Sequence, residues 1–204
     1  MPSERIGIVE SGGRRYRVRD DAATALKLIE LAGDASVDGQ TRGVISVRLL
    51  FCDPEAACAA AGGGLRQVLS DALWQVAGID IDGTRPDETG GRRVIDWRRD
   101  RQAADATCRM AYGRGLDGLA AEVSYRELMG LLAFAPHETP MGQALYYRTA
   151  EEPKRMKHNA EEVRRWRKLR DFWALDGDGP AQAAGNAAAD VFSALKRRAC
   201  DGCR

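Results

Sequence analysis

The chain has 204 residues, 44% of them hydrophobic and 30% charged, which gives it enough apolar side chains for one packed core and excludes disorder throughout. Its 31 basic and 30 acidic residues leave a formal charge of +1, so no global field draws the molecule to nucleic acid or membrane, and any charged partner must be met locally. No apolar run approaches the roughly 20 residues that span a bilayer, and the opening MPSERIGIVESGG lacks the apolar centre of a secretory signal. Three of the five cysteines, Cys52, Cys58 and Cys108, fall inside predicted helices as small buried hydrophobes; a reducing, cytoplasmic setting is expected.

In chain order, residues 5–9 and 14–19 flank Ser11-Gly12-Gly13, and the alternation Arg15-Tyr16-Arg17-Val18-Arg19 predicts a β-hairpin over 5–19. A lone hairpin is marginal in water, so Ile6, Ile8, Tyr16 and Val18 are expected to pack on the helices that follow. Asp20 and Asp21 offer a cap for a helix over 22–32, which Gly33 stops. The apolar run 44–51 is read as helix, and Asp53-Pro54-Glu55 opens a short helix that Gly62-Gly63-Gly64 ends. Leu65, Val68, Leu69, Ala72, Leu73 and Val76 then make the clearest amphipathic pattern, closed by Gly78 and expected at the centre of the core. Residues 79–93 are rich in turn formers and charges and read as an exposed loop.

Asp96 can cap a helix over 97–112 with Ala104, Cys108 and Ala111 inside and Gly113 at its end. Residues 113–118 read as a turn. Ser124-Tyr125-Arg126-Glu127 has the spacing of a capping box ahead of Leu128, Leu131 and Leu132, and Pro136 ends that helix. The fold class expected is mainly α: a compact helical domain over 1–175 with a short N-terminal hairpin, then a flexible alanine- and glycine-rich tail over 176–204.

The densest local charge lies between residues 139 and 175, where Thr139-Pro140 and then Pro153 each have the form of a helix start. From Pro153, a helix of five or six turns is predicted, with Met156, Ala160, Val163, Trp166, Leu169 and Trp173 along one face. Eight basic residues, Lys154, Arg155, Lys157, Arg164, Arg165, Arg167, Lys168 and Arg170, oppose only Glu161, Glu162 and Asp171 there. Arg164, Arg165, Trp166, Arg167, Arg170 and Trp173 are therefore the candidate partner-binding residues. Arginine with tryptophan on a helix could also grip DNA phosphates, so a basic-helix DNA-binding regulator is the alternative. Tryptophans on the apolar stripe and the neutral chain count against nucleic acid.

No catalytic constellation, cofactor site or metal site emerges. Cys200-Asp201-Gly202-Cys203 has a C-x-x-C spacing, but structural zinc needs four ligands and no second pair stands nearby. The triple glycine lacks the lysine and hydroxyl of a phosphate loop. His137 and His158 have no serine or cysteine at any motif spacing.

Taken together, Asp96-Trp97-Arg98-Arg99-Asp100, Tyr112-Gly113, Leu116, Leu131-Leu132, Pro136, Thr139, Tyr147-Arg148 and the basic helix closing on Ala174-Leu175 resemble, in order and spacing, a family of tailed-phage morphogenesis proteins. The hairpin, its following helix and Leu49-Leu50-Phe51-Cys52-Asp53-Pro54 resemble the opening of the same family. These are the bacteriophage gp-fifteen family, tail assembly chaperones of long non-contractile tails encoded just ahead of the tape measure protein. Where that family usually carries a histidine and two tryptophans, this chain has Ser124, Tyr125 and Arg126, and the tail after Asp176 has no counterpart. The resemblance implies a non-enzymatic protein of the host cytoplasm that keeps the tape measure protein soluble and is absent from the mature virion. It also implies as partners the major tail protein, a frameshifted longer form of the chain, and further copies of itself.

Overall fold

The computed structural model describes residues 5–85, 94–156 and 158–175; the expectations for the 176–204 tail and its cysteine pair lie outside them. Among the described residues the chain is mainly helical, with one N-terminal hairpin.

Strands β1 (Ile6–Ser11) and β2 (Arg14–Arg19) pair antiparallel with Val9 opposite Tyr16 and Ser11 opposite Arg14. The two-residue link uses Gly12 and Gly13 at φ 57° and 72°, the twist that suits a tight hairpin and that only glycine takes without strain. That register turns Val9, Ser11, Tyr16 and Val18 inward. Tyr16 and Val18 pack as expected, whereas Ile6 and Ile8 face outward, because the pleat puts the 6/8 and 9/11 positions on opposite faces.

Helices α1 (Ala22–Ala32), α2 (Gly39–Leu50), α3 (Pro54–Ala61) and α4 (Leu65–Ala77) build the body on this hairpin. Each of the first three starts where an aspartate accepts a backbone N–H: Asp21 from Thr24, Asp38 from Gln40 and Thr41, Asp53 from Ala56. The Asp38 cap starts α2 five residues ahead of the apolar run. After α2 the chain turns back onto β2, Phe51 bridging to Val18 and stacking edge-on against Tyr16 at 6.1 Å. The triple glycine winds into one 3-10 turn and leads directly into α4. Helix α4 is central, as its pattern predicts, and packs on β1, α1, α2 and α3 and on the helix over Tyr125–Ala133. Its Gln75 amide donates to the Ile8 carbonyl, and Asp71 accepts from Ser11, Gln67 and Arg85. Burial opposes the Asp71 charge, yet these donors outweigh it and hold its carboxyl below the ordinary range.

In the loop after Gly78, Asp80 accepts N–H groups from Asp82, Gly83 and Arg85. Ile79, the first residue of the expected exposed loop, is buried and belongs to the core, as do Val94 and Ile95 just after it; 86–93 lie outside the described residues. Helix α5 (Trp97–Tyr112) is capped by Asp96 and closed by Gly113 at φ 70°. A short helix, α6 (Leu116–Ala120), stands where only a turn is expected, with Leu116, Leu119 and Ala120 buried. Helix α7 (Tyr125–Ala133) carries the full capping box between Ser124 and Glu127. Its Tyr125 hydroxyl accepts from the Trp97 indole at 3.0 Å, and burial raises its pKa.

Candidate partner-binding face

Two helices form the C-terminal arm: α8 (Pro140–Thr149) and α9 (Ala160–Trp173). Thr139 caps α8 and Pro140 takes its first position, as the sequence predicts. The start is fixed further by Gly142, where a Cβ would stand 2.3 Å from the Pro136 carbonyl oxygen. Met141, Ala144, Leu145 and Arg148 all point inward, at the i, i+3, i+4 and i+7 spacing of one helix face. The last of them is an arginine only 6% exposed.

That arginine is answered from α5. Arg148 Nη1 and Nη2 donate to Asp100 Oδ2 and Oδ1 at 2.7 and 2.8 Å, a two-pronged pair in which both side chains are buried. Nη1 also donates to the Val94 carbonyl at 2.8 Å, Asp100 Oδ2 accepts the Asp96 N–H at 2.8 Å, and Arg148 Nε donates to the Trp173 carbonyl at 2.7 Å. Arg99 donates to the Phe172 carbonyl at 2.8 Å and to that of Ala174. Arg99 of α5 and Arg148 of α8 thus satisfy carbonyls at the C-terminal end of α9, where the helix dipole favours positive charge.

Pro153 does not start a helix. Residues 151–156 form no regular element, and α9 begins at Ala160, shorter than the five or six turns expected. The Asn159 carboxamide accounts for this, accepting the Met156 N–H at 2.7 Å and donating to the Lys154 carbonyl at 3.0 Å, which holds a turn just before the helix. Glu152 folds back onto α9, accepting from Arg167 Nε at 2.8 Å and lying 3.5 Å from Arg170; the Arg167 hydrogen bond holds its carboxyl below the ordinary range.

Of the expected apolar stripe, Val163 and Trp166 are buried, Leu169 and Trp173 are half-buried, and Met156 is 56% exposed. Trp166 meets Tyr147 edge-on at 6.2 Å and Arg170 lies 5.3 Å over its ring. The run of ring contacts extends outward from Tyr147 to Tyr146 and exposed His137. The indole N–H groups of Trp166 and Trp173 are buried without a hydrogen-bond partner among the described residues, and both tryptophans serve packing.

The candidate residues therefore divide. Trp166 packs on Tyr147 of α8, Trp173 packs against the core and offers its carbonyl to Arg148, and Arg167 and Arg170 are engaged by Glu152. Arg164 and Arg165 are exposed and form no ion pair among the described residues, and the same holds for Lys154, Arg155 and Lys168. Beside them Phe172, 65% exposed, stacks on Trp173 at 5.0 Å. The outward face thus carries unpaired cations and an exposed aromatic ring beside the exposed carboxylates of Glu161 and Glu162, suited to a partly apolar helix or peptide with acidic positions. His158 is exposed on the approach to α9.

Among the described residues, no group of three or more His, Cys, Asp or Glu could hold a metal ion, and no helix is long and apolar enough to cross a membrane. Compared with protein-family models, curated proteins and solved structures, the chain finds no significant match in any of the three.

Proposed function

We propose that this protein is a non-enzymatic assembly chaperone of long non-contractile phage tails, which uses the outward face of α9 to hold helical segments of the tape measure protein. The observation that carries the reading is where the resembling residues meet. Asp96, Asp100 and Arg148 are scattered over some fifty positions in sequence, yet they share one buried node that grips the Trp173 carbonyl and so presents α9. These three of the resembling residues thus form one physical unit. The helix it presents carries cations and an aromatic ring outward, the complement of an acidic amphipathic helix.

The test is co-expression with the tape measure protein that this reading expects the neighbouring gene to encode. The expected outcome is a shift of the tape measure from the insoluble to the soluble fraction, with both proteins in one complex. A tape measure equally insoluble with and without this chain would overturn the proposal.

The unpaired cations Arg164, Arg165 and Lys168 favour one second reading, a DNA-binding regulator. It requires duplex affinity that falls steeply as salt rises, because bound phosphates release counterions. Flat or absent duplex binding removes it.

A further inference from the structure

Away from α9, helices α1 to α4 leave a groove of about 1170 Å³, floored by Leu28, Val47, Leu69 and Leu73, with exposed Val44 and Ile81 on its rim. Two half-buried cysteines, Cys52 and Cys58, also line it. We propose that the groove is the docking site of residues 191–198 of this same chain, Val-Phe-Ser-Ala-Leu-Lys-Arg-Arg.

Four observations name this occupant. The first is position. The Ala174 carbonyl rests on Arg99, while the adjacent Arg98 donates to the Gly33 carbonyl, next to the groove residue Ala32. The chain beyond Leu175 thus sets out two arginine side chains away from the end of the groove.

The second is reach: the 176–190 stretch extends to about 50 Å at ~3.3 Å per residue, enough to cross the body. The third is chemistry. Between 176 and 204 the large aliphatic and aromatic side chains are Val191, Phe192 and Leu195, which share one face at helical spacing and suit an apolar floor.

The fourth is charge, since Lys196, Arg197 and Arg198 follow that apolar triplet. On the rim, Arg66 is engaged by Asp82 at 2.7 Å, and Arg42 by the Asp34 and Val37 carbonyls at 2.6 and 2.8 Å. Asp53 and Glu55 make no ion pair among the described residues, so two carboxylates beside the cations of Arg42 and Arg48 are left for the basic run to meet. A tethered segment acts at an effective concentration near 1 mM, so an intrinsic affinity of about 0.1 mM keeps it seated roughly nine times in ten. The seated segment covers the groove until a competing apolar helix displaces it.

The test uses the full chain at high dilution, treated with a short bismaleimide. Cys108 is silent, buried, with its thiol pushed up to about 11. The expected product is an intramolecular cross-link from Cys52 or Cys58 to Cys200 or Cys203, mapped by mass spectrometry. In the Phe192→Asp/Leu195→Asp variant, whose changes lie outside α1 to α4, that link is lost and labelling of Cys52 and Cys58 accelerates by up to about tenfold as the groove opens. Equal cross-linking in both proteins would show tether proximity without docking, and overturns the proposal. Links formed only between chains would put a second copy in the groove. No link, with equally fast labelling in both proteins, would leave the groove to another protein; either result overturns the proposal too.

Discussion

Helices α4 and α9 carry similar sequence patterns, an apolar stripe at three- and four-residue steps with charge elsewhere, and the fold uses them in opposite ways. Helix α4 has neighbours on most sides and buries Val68, Leu69, Ala72, Leu73, Val76 and Ala77. Helix α9 packs chiefly on α8 and buries Val163 and Trp166. What α9 lacks in apolar burial is supplied by directed polar contacts, from Arg99 and Arg148 at its C-terminal carbonyls and from Glu152 along its side. Periodicity therefore identifies a face that must be covered but not how completely. A helix held at its end by hydrogen bonds keeps more of its surface for a partner.

The largest effect expected of a single substitution is at the node. Arg148→Ala leaves Asp100 buried without its counter-charge and is expected to cost about 3–5 kcal/mol in chemical denaturation, with α9 released. Leu73→Ala, in the middle of α4, should cost about 2–5 kcal/mol through the cavity it leaves, unfolding the body as a unit. Trp166→Ala distinguishes the two helices: a loss of about 1.5–3 kcal/mol is expected to fall on α9 alone. Hydrogen exchange would read this as fast amides over 160–173 with α4 still protected. Loss of protection in α4 as well would mean that α9 is integral to the core.

Acid should act on the body first through its caps. Hydrogen bonds from the Ser124 backbone and hydroxyl, then from Arg5, hold the Glu127 carboxyl below its ordinary value. A depressed folded pKa means that this stabilisation is fully present above the unfolded value of about 4.3 and is lost as pH falls through the folded one. Glu127→Gln, which keeps a neutral capping-box partner, should flatten that part of the stability profile by lowering neutral stability while leaving stability in acid little changed. Smallest of all in stability is Arg164→Glu with Arg165→Glu, expected within about 0.5 kcal/mol of wild type because both face water.

Much of the body is legible in the sequence because its signals are local. Asp21, Asp53, Asp96, Ser124 and Thr139 cap the helices they precede, and Gly78 and Gly113 close the ones they follow. The hairpin's inward face is harder to read. Ile6, Ile8 and Val9 are all apolar, and only the Gly12-Gly13 turn sets which of them pairs with Tyr16. The start of α9 was hidden because Pro153 has the form of a first helical residue while the competing turn depends on Asn159.

The buried pair joins residues 48 apart, so no local rule finds it. A signal was nonetheless present: Arg148 occupies the core-facing register of α8 with Met141, Ala144 and Leu145, as Asp100 does in α5 with Trp97, Ala104, Thr107 and Cys108. Opposite charges at core positions of two helices predict a buried pair, since neither charge is affordable alone.

In the proposed role, the outward cations of α9 bind the partner while its tryptophans only hold the helix in place. The most direct measurement is recovery of the tape measure protein on the tagged Arg164→Glu/Arg165→Glu/Lys168→Glu variant, beside wild type, with thermal unfolding measured on both. The account predicts an unchanged melting curve and loss of the tape measure. Full recovery on a variant that melts as wild type would contradict it.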